Sequence, residues 1–326
     1  MTTVTPDSIM QVASGFMASK HLFVANEVGL FECLAEGQAT LDDLSHRTGV
    51  SRSTIRILAD AMVALGFVER QAERYQNGPV AATFLSGRTP ADLRPLLRFW
   101  NRLSYPAWAH LEEVVRTEQA VIEPLNEALG KIMSEGIEAS TAAAAEALAT
   151  SYNFRHHHRV LDLGGGTGSF LLAILRHHPG LKMTLFEIPA VAALARKRVV
   201  HTPLEESVEI VTGDFFHDPI PAGHDVVLLA NILHNFSPEH NLVLLRRIRS
   251  GVSDGTRLLL VDFWTDPTHT QPTFAALMAG EFLVHSGEGA AYSEEEGRGW
   301  LHESHWQPLK RIPLAGPASL IVAQTA

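Results

Sequence analysis

The stretch that decides the fold is Val160-Leu161-Asp162-Leu163-Gly164-Gly165-Gly166-Thr167-Gly168-Ser169. It begins as an apolar strand pattern, continues into a glycine-rich turn at residues 164–168, and is followed by a helical pattern. Glycines have no Cβ, so they let a backbone turn sharply and approach a ligand closely. A strand, a glycine turn and a helix in this order predict a nucleotide site at the carboxyl end of a parallel strand.

From residue 157 onward, apolar runs alternate with helical patterns, which predicts a doubly wound, Rossmann-like parallel sheet. Two further runs are joined by Gly316-Pro317, and this hairpin is expected to close the sheet with an antiparallel strand. We predict an α/β catalytic domain over residues 155–326. The runs lie at 159–163, 182–187, 207–212, 225–231, 256–263, 308–314 and 318–324.

The N-terminal part follows a winged-helix pattern. Residues 9–35 are helical and apolar on more than one face, which favours burial against another segment or a second copy of the chain. Thr40 and Ser51 each cap a short helix, and a strand pair follows near residues 67–75. We predict an all-helical, winged-helix dimerisation domain over residues 1–92 and a helical connector over residues 93–154.

A winged helix binds DNA through an exposed basic stripe on its second helix. Here Arg52 and Arg56 are offset by Asp60 and other nearby acids, and the whole chain has a formal net charge of −10. We therefore expect no nucleic-acid partner. A transcription regulator stays open as an alternative that the winged helix alone supports.

Composition excludes several other classes. The 326 residues, 46% of them hydrophobic and 19% charged, are typical of a globular chain with two domains. No apolar run is long enough to span a bilayer, and Cys33, the only cysteine, cannot form an intramolecular disulfide. The first twenty residues lack a signal-peptide pattern, so we expect a cytoplasmic protein without a membrane partner.

The glycine turn alone also fits a dinucleotide oxidoreductase, whose fingerprint asks for Gly or Ala where this chain has Ser169. Two further elements favour a different cofactor. Glu187 ends the next strand, where a carboxylate can accept hydrogen bonds from ribose hydroxyls. Asp214 and Phe215 end the third strand, where an acid can bind the adenine amino group and a ring can cover the base. A nucleoside site without a pyrophosphate clamp favours S-adenosylmethionine as the cofactor.

With these motifs the sequence resembles the plant-type and bacterial small-molecule O-methyltransferases related to caffeate and acetylserotonin methyltransferases. The resemblance covers nearly the whole chain and implies an intertwined homodimer acting on a small-molecule acceptor. The shared motifs are residues 161–168, Phe186-Glu187-Ile188-Pro189, Gly213-Asp214-Phe215-Phe216 and Leu233-His234-Asn235-Phe236-Ser237. The implied cofactor contacts are Gly164, Gly166, Glu187, Asp214 and Phe215, with Glu187 in place of the usual aspartate.

The resemblance also implies the catalytic residues. His234 matches the general base that takes a hydroxyl proton while the oxygen attacks the sulfonium methyl, a role that suits a side chain able to titrate near neutral pH. Asp262 matches the acid that orients this histidine, although a helix cap or turn acid is an equally simple reading.

Two departures from the family pattern leave the acceptor open. His234-Asn235-Phe236 replaces His-Asp-Trp, and Ala291-Tyr292-Ser293 replaces a Glu-Arg-Thr stretch whose carboxylate supports the base. Glu281 and His285 are four residues apart, hence on one helical face, in a segment that the resemblance places in the acceptor pocket.

Two histidines in one pocket can be a base with an orienting group, or two ligands of a divalent or ferric metal. The resemblance to the O-methyltransferases favours O-methylation of a specialised metabolite. Metal-assisted C-methylation of a 2-oxo acid, N-methylation, and cofactor binding without methyl transfer stay open. The candidate acceptor contacts are Trp100, Met278, Glu281, Phe282 and His285.

Overall fold

The computed structural model describes residues 4–120 and 126–325; residues 1–3, 121–125 and 326, which fall within the predicted domains, lie outside it. Contacts divide the chain into two compact units. The first comprises Met1–Pro106 and Leu125–Ser140, and the second comprises Ala107–Pro124 and Thr141–Ala326. The predicted connector contributes helices to both.

Short helices and a two-stranded wing build the N-terminal part. The predicted caps are confirmed: Thr40 and Asp43 form a reciprocal capping box, and the Ser51 side chain accepts a hydrogen bond from the Thr54 N–H. The fully buried Phe31, Ile55 and Tyr75 belong to its core. The helices are α1 (Asp7–Ala13), α2 (Gly15–Glu27), α3 (Leu30–Ala35), α4 (Leu41–Thr48), α5 (Arg52–Ala64), α6 (Pro79–Phe84) and α7 (Arg94–Phe99), and the antiparallel wing strands are β1 (Val68–Gln71) and β2 (Arg74–Asn77).

The cations of the second winged-helix helix, α5, are paired with acids. Arg52 lies 2.9 Å from Asp42, and Arg56 lies 3.3 Å from Asp60. The charge compensation expected from the sequence is thus found at the level of side-chain contacts.

A run of helices then leads into the catalytic sheet. A π-helix spans Trp100–Ser104, and the helices that follow are α8 (Tyr105–Trp108), α9 (Leu111–Thr117) and α10 (Glu127–Ser151). No helix within residues 4–120 and 126–325 is long and apolar enough to cross a membrane.

The second unit contains a seven-stranded sheet with helices between its strands. The strands are β3 (Arg159–Leu163), β4 (Lys182–Glu187), β5 (Val208–Thr212), β6 (Val226–Ala230), β7 (Arg257–Asp262), β8 (Trp306–Pro313) and β9 (Ser319–Thr325), and the helices are α11 (Ser169–His177), α12 (Pro189–Val199), α13 (Pro238–Gly251), α14 (Thr273–Ser286) and α15 (Glu294–Glu303). The strand order is β5-β4-β3-β6-β7-β9-β8, with β5 through β7 parallel and β9 antiparallel to both of its neighbours. The predicted Rossmann-like sheet and its closing hairpin are confirmed.

Strand β6 shows why this part of the sequence reads as continuous apolar runs. All five of its residues are buried, and successive residues belong to different core clusters: Leu228 to one, Leu229 to the other. Side chains alternate between the faces of a strand, so a sheet covered on both faces needs apolar residues at every position. The same topology brings the carboxyl ends of β3, β4, β6 and β7 to one edge.

Helix α15 offers a matched test of this packing. A Cβ added at Gly297 would lie 2.5 Å from the Trp264 ring, whereas one added at Gly299 would meet nothing within 4 Å. We expect Gly297→Ala to lower the free energy of unfolding by about 1–3 kcal/mol through overpacking. Gly299→Ala should raise it by up to about 1 kcal/mol through helix propensity. Urea unfolding of the two variants measures both, and equal effects would contradict the close contact.

Candidate active site

The glycine turn after β3 has a backbone that only glycine adopts readily. Gly164 and Gly166 have φ angles of +72° and +61°, in the left-handed region. A Cβ at Gly164 would lie 2.7 Å from Ile232 and 3.2 Å from the Phe215 ring. The turn after β5, which carries Phe215, and the loop after β6, which carries Ile232, therefore lie directly against the glycine turn.

Glu187 connects the ends of β3 and β4. Its Oε2 accepts a hydrogen bond from the Gly166 N–H at 3.0 Å, and its Oε1 accepts one from the Ile188 N–H at 2.8 Å. Burial raises the pKa of this carboxyl, against the lowering by these two N–H groups. The two predicted cofactor contacts Gly166 and Glu187 are brought into direct contact, with lone pairs on the carboxylate left for a ligand.

Asp162 is a buried acid to which the sequence motifs assign no role. It is fully buried within β3, and among the described residues neither of its carboxylate oxygens has a hydrogen-bond partner. A Cβ at Gly165 would lie 2.4 Å from this carboxylate. Burial, followed by the charge of Glu187, raises the pKa of Asp162 to about 7. In the sequence, this buried acid is indicated by its position between Leu161 and Leu163, within the buried part of β3.

Asp214 and Phe215 lie in the turn after β5. The Asp214 carboxylate accepts hydrogen bonds from the Phe216 N–H at 2.8 Å and from His217 Nδ1 at 2.9 Å. These two donors hold the pKa of Asp214 below its usual range. The Phe215 ring packs edge-on against Phe236, with centroids 5.9 Å apart. Asp214 thus shapes the turn that places the Phe215 ring beside the glycine turn.

His234 and Asp262 form a buried pair. His234 Nδ1 lies 2.6 Å from Asp262 Oδ1, and the His234 backbone N–H donates to Oδ2 at 3.3 Å. The residues are 7% and 4% exposed, so little water competes for this contact. Because an ionised carboxylate only accepts hydrogen bonds, Nδ1 carries the ring proton and the Nε2 lone pair is available to a substrate.

Aromatic rings fix the plane of the His234 imidazole. Phe282 stacks on it, with centroids 3.8 Å apart and planes at 10°. Phe263 lies farther off, at 5.9 Å and 22°. The ring is therefore held by Asp262 at its edge and by Phe282 at its face.

The two stretches that depart from the resembled pattern form hydrogen bonds around His234, which lies in a 3₁₀ turn over Leu233–Asn235. The Tyr292 hydroxyl donates to the Phe236 carbonyl at 2.6 Å, and the Ala290 N–H donates to the His234 carbonyl at 3.0 Å. The Asn235 side chain donates to the backbone carbonyls of Asn231 and Ile232, each at 3.2 Å. The segment that carries His234 is thus held by backbone, hydroxyl and side-chain amide hydrogen bonds.

Helix α14 carries a second histidine–carboxylate pair. His285 Nε2 lies 3.1 Å from Glu281 Oε1, and Trp108 Nε1 donates to Glu281 Oε2 at 2.5 Å. A Cβ at Gly280 would lie 2.7 Å from the Trp108 ring, so this glycine lets the indole reach the helix. Glu281 is 8% exposed, whereas the His285 side chain is 38% exposed.

The other two candidate acceptor contacts differ in position. Met278 is half-buried on α14, four residues before Phe282 and on the same helical face. Trp100 begins the π-helix and packs against the core of the first unit.

A metal would need a larger set of ligands than this site shows. Within the described part of the chain, no three or more His, Cys, Asp or Glu side chains are grouped so that they could hold an ion. His234 and His285 each have one carboxylate partner of their own. These residues do not form a metal-binding set.

The family follows from a comparison with known domains. A family model of the O-methyltransferase domain matches residues 121–306, more than half of the chain, and a model of the O-methyltransferase dimerisation domain matches residues 10–87. The chain belongs to the O-methyltransferase family. It is thus a methyltransferase whose N-terminal part matches a dimerisation domain.

Individual relatives align along nearly the whole enzyme. It is 30% identical to a 3-hydroxy-5-methyl-1-naphthoate 3-O-methyltransferase of Streptomyces sahachiroi, over 96% of this chain and 93% of that protein. It is 29% identical to the acetylserotonin O-methyltransferase of Mus musculus, over 97% of this chain and 87% of that protein.

Solved structures have the same fold. The mitomycin 7-O-methyltransferase MmcR aligns with a TM-score of 0.85 at 28% identity, covering 98% of this chain and 97% of that one. Human N-acetylserotonin methyltransferase in complex with SAM aligns with a TM-score of 0.90 at 24% identity, covering 100% and 99% of the two chains.

The buried Asp162 predicts a pH-dependent change in stability. Between its ordinary pKa of 3.8 and about 7, the folded state holds a proton that the unfolded state has released. Its contribution to stability is therefore largest at low pH and falls as the pH rises to 7. Asp162→Asn removes this ionisation, so its stability relative to wild type should improve by about 1–3 kcal/mol between about pH 5 and pH 8.

Urea unfolding at the two pH values, without added cofactor, measures the difference. Asp254→Asn is the matched control, because the Asp254 side chain is 93% exposed. A difference between Asp162→Asn and wild type that does not change with pH would refute the titration of Asp162.

Proposed function

We propose that the enzyme transfers a methyl group from S-adenosylmethionine to a hydroxyl of a small specialised metabolite, with His234 as the general base. The observation that carries this proposal is the His234–Asp262 pair at the carboxyl edge of the sheet, next to the glycine turn. The order of β6 and β7 brings the two residues together although they are far apart in sequence.

The site fits the cofactor in three respects. The glycine turn is open at Gly166, where a Cβ would meet nothing within 4 Å, Glu187 has lone pairs for ribose hydroxyls, and the Phe215 ring can cover a base. Asp162 adds a buried carboxylate without a partner among the described residues. When bound, the sulfonium cofactor supplies a methyl group that needs no further activation. The solved human relative holds this cofactor.

His234 supplies the proton transfer. Its Nε2 takes the proton of the acceptor hydroxyl, and the Asp262 carboxylate stabilises the imidazolium that forms. Phe282 keeps the ring from rotating out of line. Most of the acceleration then comes from holding the acceptor oxygen in line with the transferred group, because orientation replaces a bimolecular encounter.

The names of the relatives suggest the acceptor class. The Streptomyces sahachiroi relative acts on the hydroxyl of a naphthoate, and the mouse relative acts on acetylserotonin. Both names point to aromatic acceptors. The aromatic rings beside His234 would pack against an aromatic acceptor, so we propose a phenolic hydroxyl.

Homodimerisation is part of the proposal. Residues 10–87 match the dimerisation domain, and helices α1 and α2 present exposed apolar side chains. Ile9, Val12 and Phe16 are 70%, 82% and 53% exposed. A second copy of the chain is the partner that this match supports, because apolar side chains gain free energy when they leave water.

The general-base role predicts that His234→Ala lowers turnover by about 100-fold or more, while the affinity for S-adenosylhomocysteine stays near wild type. Transfer of label from S-adenosylmethionine to a pool of phenols measures turnover, and calorimetry measures affinity. His302→Ala, at an exposed histidine of α15, is the control. Unchanged turnover would remove His234 from the mechanism, and chelator-sensitive transfer to 2-oxo acids alone would replace phenols as the acceptors.

For Glu187, a role in cofactor binding predicts weaker cofactor affinity with nearly unchanged turnover, the reverse of the result expected for His234→Ala. Glu187→Gln keeps the side-chain shape but loses the charge that strengthens hydrogen bonds to hydroxyls. We expect S-adenosylhomocysteine to bind about 10-fold more weakly, with turnover at saturating cofactor within about 3-fold of wild type. Calorimetry and saturation kinetics check the two values, and wild-type affinity would contradict the ribose contact.

A further inference from the structure

Helix α14 carries two ionisable side chains, Glu281 and His285, and they form a pair of their own. We propose that this pair selects acceptors bearing a second hydroxyl or N–H group, which donates a hydrogen bond to His285 Nδ1. The inference rests on the proposed function, since it concerns the same acceptor, and adds the class of aromatic acceptor: a diol or amino-phenol in preference to a simple phenol.

The burial of Glu281 is the first observation. A carboxylate in an apolar helix is costly unless hydrogen bonds compensate the lost hydration. Trp108 and His285 each bind one of its oxygens, and the missing Cβ of Gly280 lets the Trp108 indole come close enough to do so. Two separate residues thus keep Glu281 in place. Of the Glu281–His285 pair, His285 has the more exposed side chain.

The position of His285 is the second observation. Phe282, whose ring stacks on the His234 imidazole, precedes His285 by three residues on α14. Residues three apart on a helix have Cβ atoms about 5–6 Å from each other and share a face. A planar acceptor whose hydroxyl lies at His234 would therefore extend its far edge towards His285.

The direction of the hydrogen bond between His285 and Glu281 is the third observation. Glu281 accepts at His285 Nε2, so in the neutral ring Nε2 carries the proton and Nδ1 has the lone pair. His234 is held in the mirrored way, through Nδ1, with Nε2 carrying the lone pair. Both imidazoles thus present an acceptor nitrogen, which matches a substrate with two donor groups and leaves a methoxy or unsubstituted edge without a partner.

The test compares the two isomeric naphthols with the isomeric naphthalenediols as acceptors. A site built to bind a hydroxyl discriminates against analogues that lack it, so wild type should show a kcat/KM at least about 10-fold higher for its best diol than for either naphthol. His285→Leu should reduce this ratio to about one, because it lowers kcat/KM for the diol much more than for the naphthols.

Two further variants separate recognition from structural support. His285→Asn places an amide oxygen near the position of Nδ1 and should restore part of the diol preference. Glu281→Gln removes the charge that fixes the ring proton on Nε2 and should lower the preference for diols over naphthols. Equal losses on diols and naphthols in every variant would mean a structural role and overturn the proposal.

The remaining outcomes distinguish failure of the second-hydroxyl site from failure of the proposed function. Naphthols and diols methylated equally by wild type would refute the second-hydroxyl site and leave the proposed function standing. No transfer to any phenol by wild type would refute the proposed function itself. A diol preference that a chelator abolishes would assign the effect to a metal and overturn the role of His285 Nδ1.

Discussion

The contact between Asp262 and His234 is the interaction on which the site depends. Asp262 is the last residue of β7, and His234 follows β6 by four positions. The parallel pairing of these strands sets their carboxyl ends side by side, and the Asn231 N–H continues the ladder to the Val261 carbonyl at 2.8 Å. One carboxylate then binds both the ring and the backbone of His234. A shift of one residue in this register would turn Asp262 to the other face.

Buried carboxylates are the main energetic cost of this edge of the sheet. Asp262 and Glu281 are each compensated by hydrogen bonds, and Glu187 accepts two backbone N–H groups. Asp162 differs, because among the described residues its oxygens form no hydrogen bond of normal geometry, and burial raises its pKa to about 7 although the Leu171 N–H acts in the opposite direction. A neutral Asp162 is the cheaper buried form, and a cationic ligand above the glycine turn would favour its ionised form. A buried, destabilising carboxyl group thus lies directly beside the glycine turn.

The fold and part of the site follow from the sequence. The five parallel strands of the large sheet lie within predicted apolar runs, and β8 and β9 overlap theirs with ends shifted by one or two residues. The signal is clearest at β6, whose residues are all buried. The caps at Thr40 and Ser51 follow from side-chain chemistry one turn away. The pairing of Asp262 with His234 was one of two readings, because sequence spacing does not state which loops meet.

Contacts that depend on shape could not be predicted. The stacking of Phe282 on His234, the approach of Trp108 to Glu281 past Gly280, and the unpartnered state of Asp162 all arise from tertiary packing between distant segments. The departure at Ala291-Tyr292-Ser293 shows the same limit. The sequence indicates that a carboxylate is missing there, but only the structure shows the Tyr292 hydroxyl binding the His234 loop instead.

Helix α14 links catalysis to selectivity because one rigid element carries both. Phe282 fixes the plane of the His234 ring, and His285 lies one turn farther along the same face. A change that moves α14 would therefore alter the base and the acceptor contact together, whereas a change at His285 alone alters only the contact. Trp108 packs against this helix at Gly280 and donates a hydrogen bond to Glu281, just before the turn that carries Phe282 and His285. Under the proposed function, substitutions at Glu281 and His285 would change the acceptor contact while the His234–Asp262 pair keeps its own hydrogen bonds.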